Sequence, residues 1–256
     1  MTHSELRDIF VRDGVLRVRD VVDPSSIAAM QRAFGDRVAA LEFVENAGAL
    51  RPAPGTEMSW WNVGREPIFG PVADAFARAL VRVFGADVWE QVEGELGGYA
   101  MPNLPSAGAS WSACAAAWHV DEPTVPHVVP PWVLVGFTHI DRVEIGGGGT
   151  VVLAGSHRRL ALLADELEET VTTDIALASL ARQEPWFSRL LEHDARSTAG
   201  GCTSAGVEMR LVELAGEPGD LLLLDPRCLH TTAANVSPRA RLTMRTTCLR
   251  AKPRSG

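Results

Sequence analysis

Two textures follow one another along the chain. The early run GVLRVRDVV reads as a strand and leads into DPSSIAAMQRAFGDRVAAL, a helix with Asp23 placed to cap it and Pro24 at its first position. That helix is expected to end before Glu45, and a polar stretch with Pro52, Pro54, Trp60 and Trp61 follows. In PVADAFARALVRVFG the residues Val72, Phe76, Leu80 and Val83 recur at helical spacing, and Gly85 is a natural stop. From about residue 95 the pattern turns to short β-prone runs broken by Gly and Pro: ELGGYAM, AAAWHVD, WVLVGFTHI, TVVLAGS, VEMRLVELA, DLLLLD and LTMRTTCL. This is the rhythm of a sandwich or barrel. It is interrupted over about 160–204, where LALLADELEET and ALASLARQEPWFSRLLEHDAR have helical spacing and STAGGCTSAG reads as a loop. Helices inserted between strands lie outside a β core, often over its mouth. This segment, with Trp186 and Phe187, is therefore expected to be a lid that shapes a pocket.

Composition narrows the class. With 256 residues, 46% hydrophobic and 22% charged, the chain has material for one sizeable core, so a single domain over 1–256 is expected. Its net charge of -8, with both signs interspersed, argues against a nucleic-acid or membrane-surface partner and for a small molecule. No run approaches the ~18 apolar residues of a membrane span, and MTHSELRDIF lacks the apolar core of a signal peptide, so a cytoplasmic location is expected. Cys114, Cys202, Cys228 and Cys248 are scattered without a CxxC pair and are read as reduced, mostly buried thiols.

The candidate chemistry centres on Trp118-His119-Val120-Asp121. On a strand, the period of two points His119 and Asp121 to one face, where both can hold one metal ion. His230, ending the strand-like run GDLLLLDPRCLH, is the candidate third ligand. Two imidazoles and one carboxylate on one side of an ion form the facial triad, which suits Fe(II) and leaves three coordination positions open. A surface His and Asp near a turn is the commoner origin of HxD alone. His139 shares a face with Phe137 and could reach a substrate or sit hydrogen-bonded inside, while His157 in the GSH turn is expected to be structural. Gly146 to Gly149 lack the Lys and Ser/Thr of a phosphate-binding loop and read as a hairpin turn.

The sequence after His230 raises the value of the triad. It continues TTAANVSPRARLTMRTTCL, with Thr232 two residues on and Arg241 eleven on; upstream stands WVLVGFTHIDRVEIGGGGTVVLAGSHR. Together these stretches resemble the phytanoyl-CoA dioxygenase family of Fe(II)/2-oxoglutarate-dependent oxygenases, with Ala154 in place of the usual Pro before Gly-Ser-His. The resemblance implies that His119, Asp121 and His230 bind iron and that Thr232 and Arg241 hold the far carboxylate of 2-oxoglutarate. It also implies that Phe137 and Met101 line the cosubstrate pocket. The implied fold is an all-β, cupin-like jelly roll, a double-stranded β-helix, with N-terminal helices and the helical insertion. The implied activity consumes 2-oxoglutarate and O2, with hydroxylation of an unactivated C–H bond as the usual outcome. Related halogenases carry Ala or Gly where Asp121 stands, so this carboxylate favours hydroxylation or another oxidation over halogenation. Arg241 is preferred to Arg239 because Arg239 follows Pro238 in a turn, whereas Arg241 opens a regular strand. A specialised metabolite is the expected kind of substrate. The rival reading is a cupin-type divalent-metal isomerase or hydrolase that does not use 2-oxoglutarate, for which a buried carboxylate clamp would have no purpose.

Overall fold

Alternation along each strand sends its side chains to two destinations, and the layers of this protein follow from that. A computed structural model describes residues 2–39, 43–46, 49–52, 66–85, 98–106, 110–113, 117–127, 133–192 and 200–249. Trp60, Trp61 and Cys114 lie outside them. The strands are β1 (Val15–Val18), β2 (Phe43–Asn46), β3 (Ala49–Pro52), β4 (Gly98–Asn103), β5 (Val133–His139), β6 (Thr150–Ala154), β7 (Gly201–Ser204), β8 (Val207–Glu213), β9 (Leu221–Leu224), β10 (His230–Thr232) and β11 (Arg241–Leu249). The helices are α1 (His3–Asp13), α2 (Pro24–Ala39), α3 (Gly70–Phe84), α4 (Ser156–Leu167), α5 (Thr173–Gln183) and α6 (Pro185–Leu191). One antiparallel sheet has the order β1-β9-β5-β11-β4, a second the order β10-β6-β8-β7, and β2 and β3 pair as a separate hairpin.

Between the two large sheets lies a core of Val15, Val135, Phe137, Val152, Ala154, Leu222 and Leu224. The alternate residues on the same strands face outward. Leu134, Leu221, Leu223 and Cys248 pack with Leu6 and Phe10 of α1 and Phe76 and Leu80 of α3. Leu242 and Met244 pack with Met30 and Phe34 of α2. Beyond the second sheet, Val151, Leu153, Val207 and Met209 pack with Leu160, Leu180 and Phe187 of α4 to α6. The run of four leucines in β9 is apolar throughout because it is buried on both faces. The result is a double-stranded β-helix jelly roll flanked by helices. Among the described residues no helix is long and apolar enough to cross a membrane.

Local readings shift in several places. α1 was not anticipated from the pattern, although Thr2 and Glu5 form a capping box and Gly14 closes the helix in the left-handed conformation. The described part of AAAWHVD, residues 117–121, does not form a strand; there His119 makes an isolated bridge with His230. GDLLLLDPRCLH is two strands in different sheets, divided by a turn in which the Asp225 carboxylate accepts from the Arg227 backbone N–H and guanidinium. Gly146 to Gly149 belong to a long connection between sheets rather than a hairpin, since β5 and β6 do not pair. Gly201–Ser204, read as loop, pairs with β8 as a strand. Within the Gly-Ser-His turn, Gly155 has a φ of 87° and Ser156 starts α4. The His157 ring meets the Val11 carbonyl and the Cys228 thiol, joining α4 to α1 and to the β9–β10 turn.

Candidate metal centre

His119, Asp121 and His230 come together, their candidate ligand atoms all within 4.8 Å of one another. Backbone pairing makes this possible: the His119 N–H donates to the His230 carbonyl at 3.0 Å and the His230 N–H returns the bond at 2.9 Å. The Asp121 N–H is fixed to the Pro226 carbonyl at 2.9 Å. The HxD segment is thus positioned by the β9–β10 crossover and not by a strand of its own. The two rings stand 4.3 Å apart at their centroids.

Each imidazole is turned by a backbone carbonyl, with His119 Nδ1 3.0 Å from Ala117 O and His230 Nδ1 2.9 Å from Cys228 O. A carbonyl only accepts, so Nδ1 carries the proton and Nε2 keeps its lone pair toward the Asp121 carboxylate. The Nε2 atoms lie 3.8 Å (His119 to Oδ1) and 3.6 Å (His230 to Oδ2) from that carboxylate. Burial holds the His230 pKa below its ordinary value, which favours the neutral, ligating form. This donor set fits a divalent first-row ion. The His119 side chain is 46% exposed and that of His230 6%, so the site opens to solvent on the His119 side.

On β11 the period of two places Arg241, Thr243, Arg245 and Thr247 on the face turned between the sheets. Arg241 is buried. Its Nε and Nη2 donate to the Gly148 carbonyl, and its Nη1 donates to Thr243 Oγ1 at 2.7 Å. Of the five N–H groups of a guanidinium, these use three and leave one on each terminal nitrogen. The Thr243 hydroxyl meets His139 Nδ1 at 3.1 Å, and His139 Nε2 meets the Leu214 carbonyl at 3.1 Å. His139 is therefore an interior histidine that helps fix Arg241, not a substrate-facing one.

The Gly-rich connection supplies the other side of this node. Glu213 accepts from the backbone N–H groups of Gly146 and Gly149 and from Trp111 Nε1, holding the loop against the sheet. At Gly148, with φ of 75°, a Cβ would lie 2.4 Å from Asn103 Nδ2, so only glycine lets its carbonyl reach Arg241. Phe137 is buried in the inner core and Met101 packs on its edge, while the half-buried Thr232 lies beside Thr150. Arg239 is exposed. One contact had no counterpart in the sequence reading: Arg245 Nη2 donates to Asp121 Oδ2 at 2.7 Å. Its signal was available, because Arg245 stands four residues beyond Arg241 in a strand of period two.

Comparison with known proteins fits this geometry. A sequence profile described as "Phytanoyl-CoA dioxygenase (PhyH)" matches residues 10–243. The chain belongs to the phytanoyl-CoA dioxygenase family. As a member of the phytanoyl-CoA dioxygenase family it is a 2-oxoglutarate-dependent oxygenase. No curated protein matches it in sequence. Among solved structures it is similar to the non-haem α-ketoglutarate-dependent carbocyclase SnoK from nogalamycin biosynthesis, with 14% identity, 97% of this chain and 86% of that one covered, and a TM-score of 0.58. It is similar to AviO1 from Streptomyces viridochromogenes Tue57, with 17% identity, 99% and 96% coverage and a TM-score of 0.59. It is also similar to EctD from S. alaskensis, solved with 2-oxoglutarate and 5-hydroxyectoine, with 18% identity, 96% and 75% coverage and a TM-score of 0.55. At these identities the likeness carries the jelly-roll fold.

Proposed function

We propose that the chain oxidises, in the first instance hydroxylates, an unactivated C–H bond of a small specialised metabolite, with Fe(II) held by His119, Asp121 and His230. The observation that carries this reading is the Arg241 guanidinium. It is buried on the same face of β11 as Arg245, which reaches Asp121 of the triad, and it has two N–H groups to spare that the two oxygens of a carboxylate would match. A cupin-type isomerase or hydrolase would gain nothing from a buried cation kept for an anion. The bound iron, 2-oxoglutarate and O2 would supply the oxidant, with succinate and CO2 as coproducts. The protein's own part is to hold and exclude. Arg241 and the Thr232 hydroxyl take the distal carboxylate, while Phe137 and Met101 wall the cosubstrate with apolar surface. The triad presents two neutral imidazoles and one carboxylate on one side of the ion. Hydroxylation is the simplest outcome; SnoK, which shares the fold, is a carbocyclase.

Anaerobic addition of Fe(II) and 2-oxoglutarate is expected to give the weak visible metal-to-ligand charge-transfer band, and turnover is expected to release succinate. His119→Ala, Asp121→Ala and His230→Ala should each abolish both signals while the protein stays folded. Near-normal succinate formation by any one of the three would remove that residue from the ligand set.

A further inference from the structure

The contact between Arg245 and Asp121 lies beside the triad but is not part of it. Both Asp121 oxygens stand close to an imidazole Nε2, Oδ1 3.8 Å from His119 and Oδ2 3.6 Å from His230. Nothing in the triad itself therefore prevents both oxygens from closing on one ion. Such closure would have a chemical cost, because a facial triad is useful for its three open positions. A chelating 2-oxoacid takes two and O2 needs the third, so a carboxylate bound through both oxygens would occupy the last.

We propose that Arg245 is a positioning residue that ties Asp121 Oδ2 by a charge-assisted hydrogen bond, leaving Oδ1 alone to face the ion and one coordination position open. The proposal rests on the reading of the triad as an Fe(II) site. Arg245 Nη2 lies 2.7 Å from Oδ2, within the range of a strong ionic hydrogen bond. The donor is aimed by rigid structure. Arg245 sits in the middle of β11, paired with Phe137 of β5 on one side and Tyr99 of β4 on the other, and its Nη1 donates to Thr247 Oγ1 at 3.2 Å. Asp121, by contrast, lies in a bend held through its backbone, so its carboxylate depends on a side-chain partner for orientation. The two arginines on this face divide the work: Arg241 holds the cosubstrate, and Arg245 holds a ligand.

The test uses nitric oxide as a probe of the open position in the anaerobic Fe(II) protein with 2-oxoglutarate, read by electron paramagnetic resonance. The wild type should bind it. Arg245→Met should keep Fe(II) and the charge-transfer band yet take up nitric oxide with affinity about tenfold lower or worse, the scale of effect expected when a ligand loses its outer partner. Arg245→Lys keeps the charge without the planar fork and should fall between, and it carries the same test if the methionine variant does not fold. Nitric oxide affinity in Arg245→Met within about twofold of wild type would overturn the proposal. Complete loss of Fe(II) binding by that variant would overturn it too, since Arg245 would then be needed to hold the ion at all rather than to keep one position open. A wild-type protein that shows no charge-transfer band sinks the functional reading instead.

Discussion

Arg241 carries its charge where water does not reach: it is 5% exposed, and burial lowers its pKa to about 10. It remains protonated at neutral pH, and a cation so placed is stable only with its donors satisfied. Gly148 and Thr243 satisfy three of them, and the two that remain are those the proposed function assigns to the carboxylate of 2-oxoglutarate. Removing a charge-assisted bidentate pair costs ~2 to 4 kcal/mol, so Arg241→Ala should raise the Michaelis constant for 2-oxoglutarate by roughly 30-fold or more. Arg239→Ala should change it by less than about threefold, as expected of an exposed arginine. The reverse order would mean that the strand register after His230 is misread. His139 makes a second, pH-dependent expectation at this scale. Burial, and then the charge of Arg241, lower its pKa from 6.5 to about 4. The unfolded chain therefore takes up the proton first, and the stability due to neutral His139 is full above about pH 6.5 and is lost as the pH falls toward 4. A shift of this size corresponds to about 3 kcal/mol. Urea unfolding at pH 7 and pH 4.5 should show this loss in the wild type and much less of it in His139→Gln. An equal loss in both would assign the acid sensitivity to other groups.

At the scale of elements, the helices α4 to α6 are less a lid than a second layer of core. Phe187, expected to face a substrate, is fully buried and packs edge-on to Trp118 with ring centroids 6.4 Å apart. Trp118 precedes His119, so this layer braces the ligand segment from behind. Phe187→Ala should accordingly cost ~3 to 5 kcal/mol of stability, seen as a lower melting temperature, with little change in 2-oxoglutarate affinity for the fraction that stays folded. A stability loss below about 1 kcal/mol would restore the lid. The difference shows how far the sequence could be read. The Asp23–Pro24 start of α2 was legible from capping chemistry, and the amphipathic spacing in α3 and the apolar run of β9 were legible because burial on one or two faces leaves a period. The destination of a face was not legible: helical spacing announces that Phe187 is covered, not by what. Strand-like composition also misled at residues 117–121, since a ladder needs a partner with free N–H and C=O groups along its length, and among the described residues His230 alone forms a bridge there. The β9–β10 crossover was hidden because DPRC looks like a short break in one run, whereas the Asp225–Arg227 pair turns the chain into the opposite sheet. His119, Asp121 and His230 converge even without the expected strand, because the paired backbones of His119 and His230 and the Asp121 N–H bonded to Pro226 hold the segment beside β10.

Across the whole molecule the candidate metal centre lies where the two sheets are tied together. His230 belongs to the four-stranded sheet, Arg245 to the five-stranded one, and the His119–Asp121 segment is bonded to both, through the His230 backbone on one side and the Arg245 guanidinium on the other. An ion held by all three ligands therefore joins parts of the fold that meet otherwise through the apolar core and a few connections. Because the ligands converge only in the folded chain, metal binding adds its free energy to folding: ~2.7 kcal/mol at a free metal concentration 100 times the dissociation constant. For a protein of this length that corresponds to a rise in melting temperature of roughly 5 to 10 °C. Mn(II) or Co(II), which avoid oxidation in air, should produce the shift in scanning calorimetry, and a chelator should reverse it. His230→Ala should lose the shift almost entirely, since it removes the ligand rooted in one sheet. Arg241→Ala, which leaves the triad whole, should keep it. A shift that survives in His230→Ala would place the stabilising ion elsewhere on the protein. A wild type that does not respond would mean that the three side chains, though gathered within reach of one another, do not hold a divalent ion.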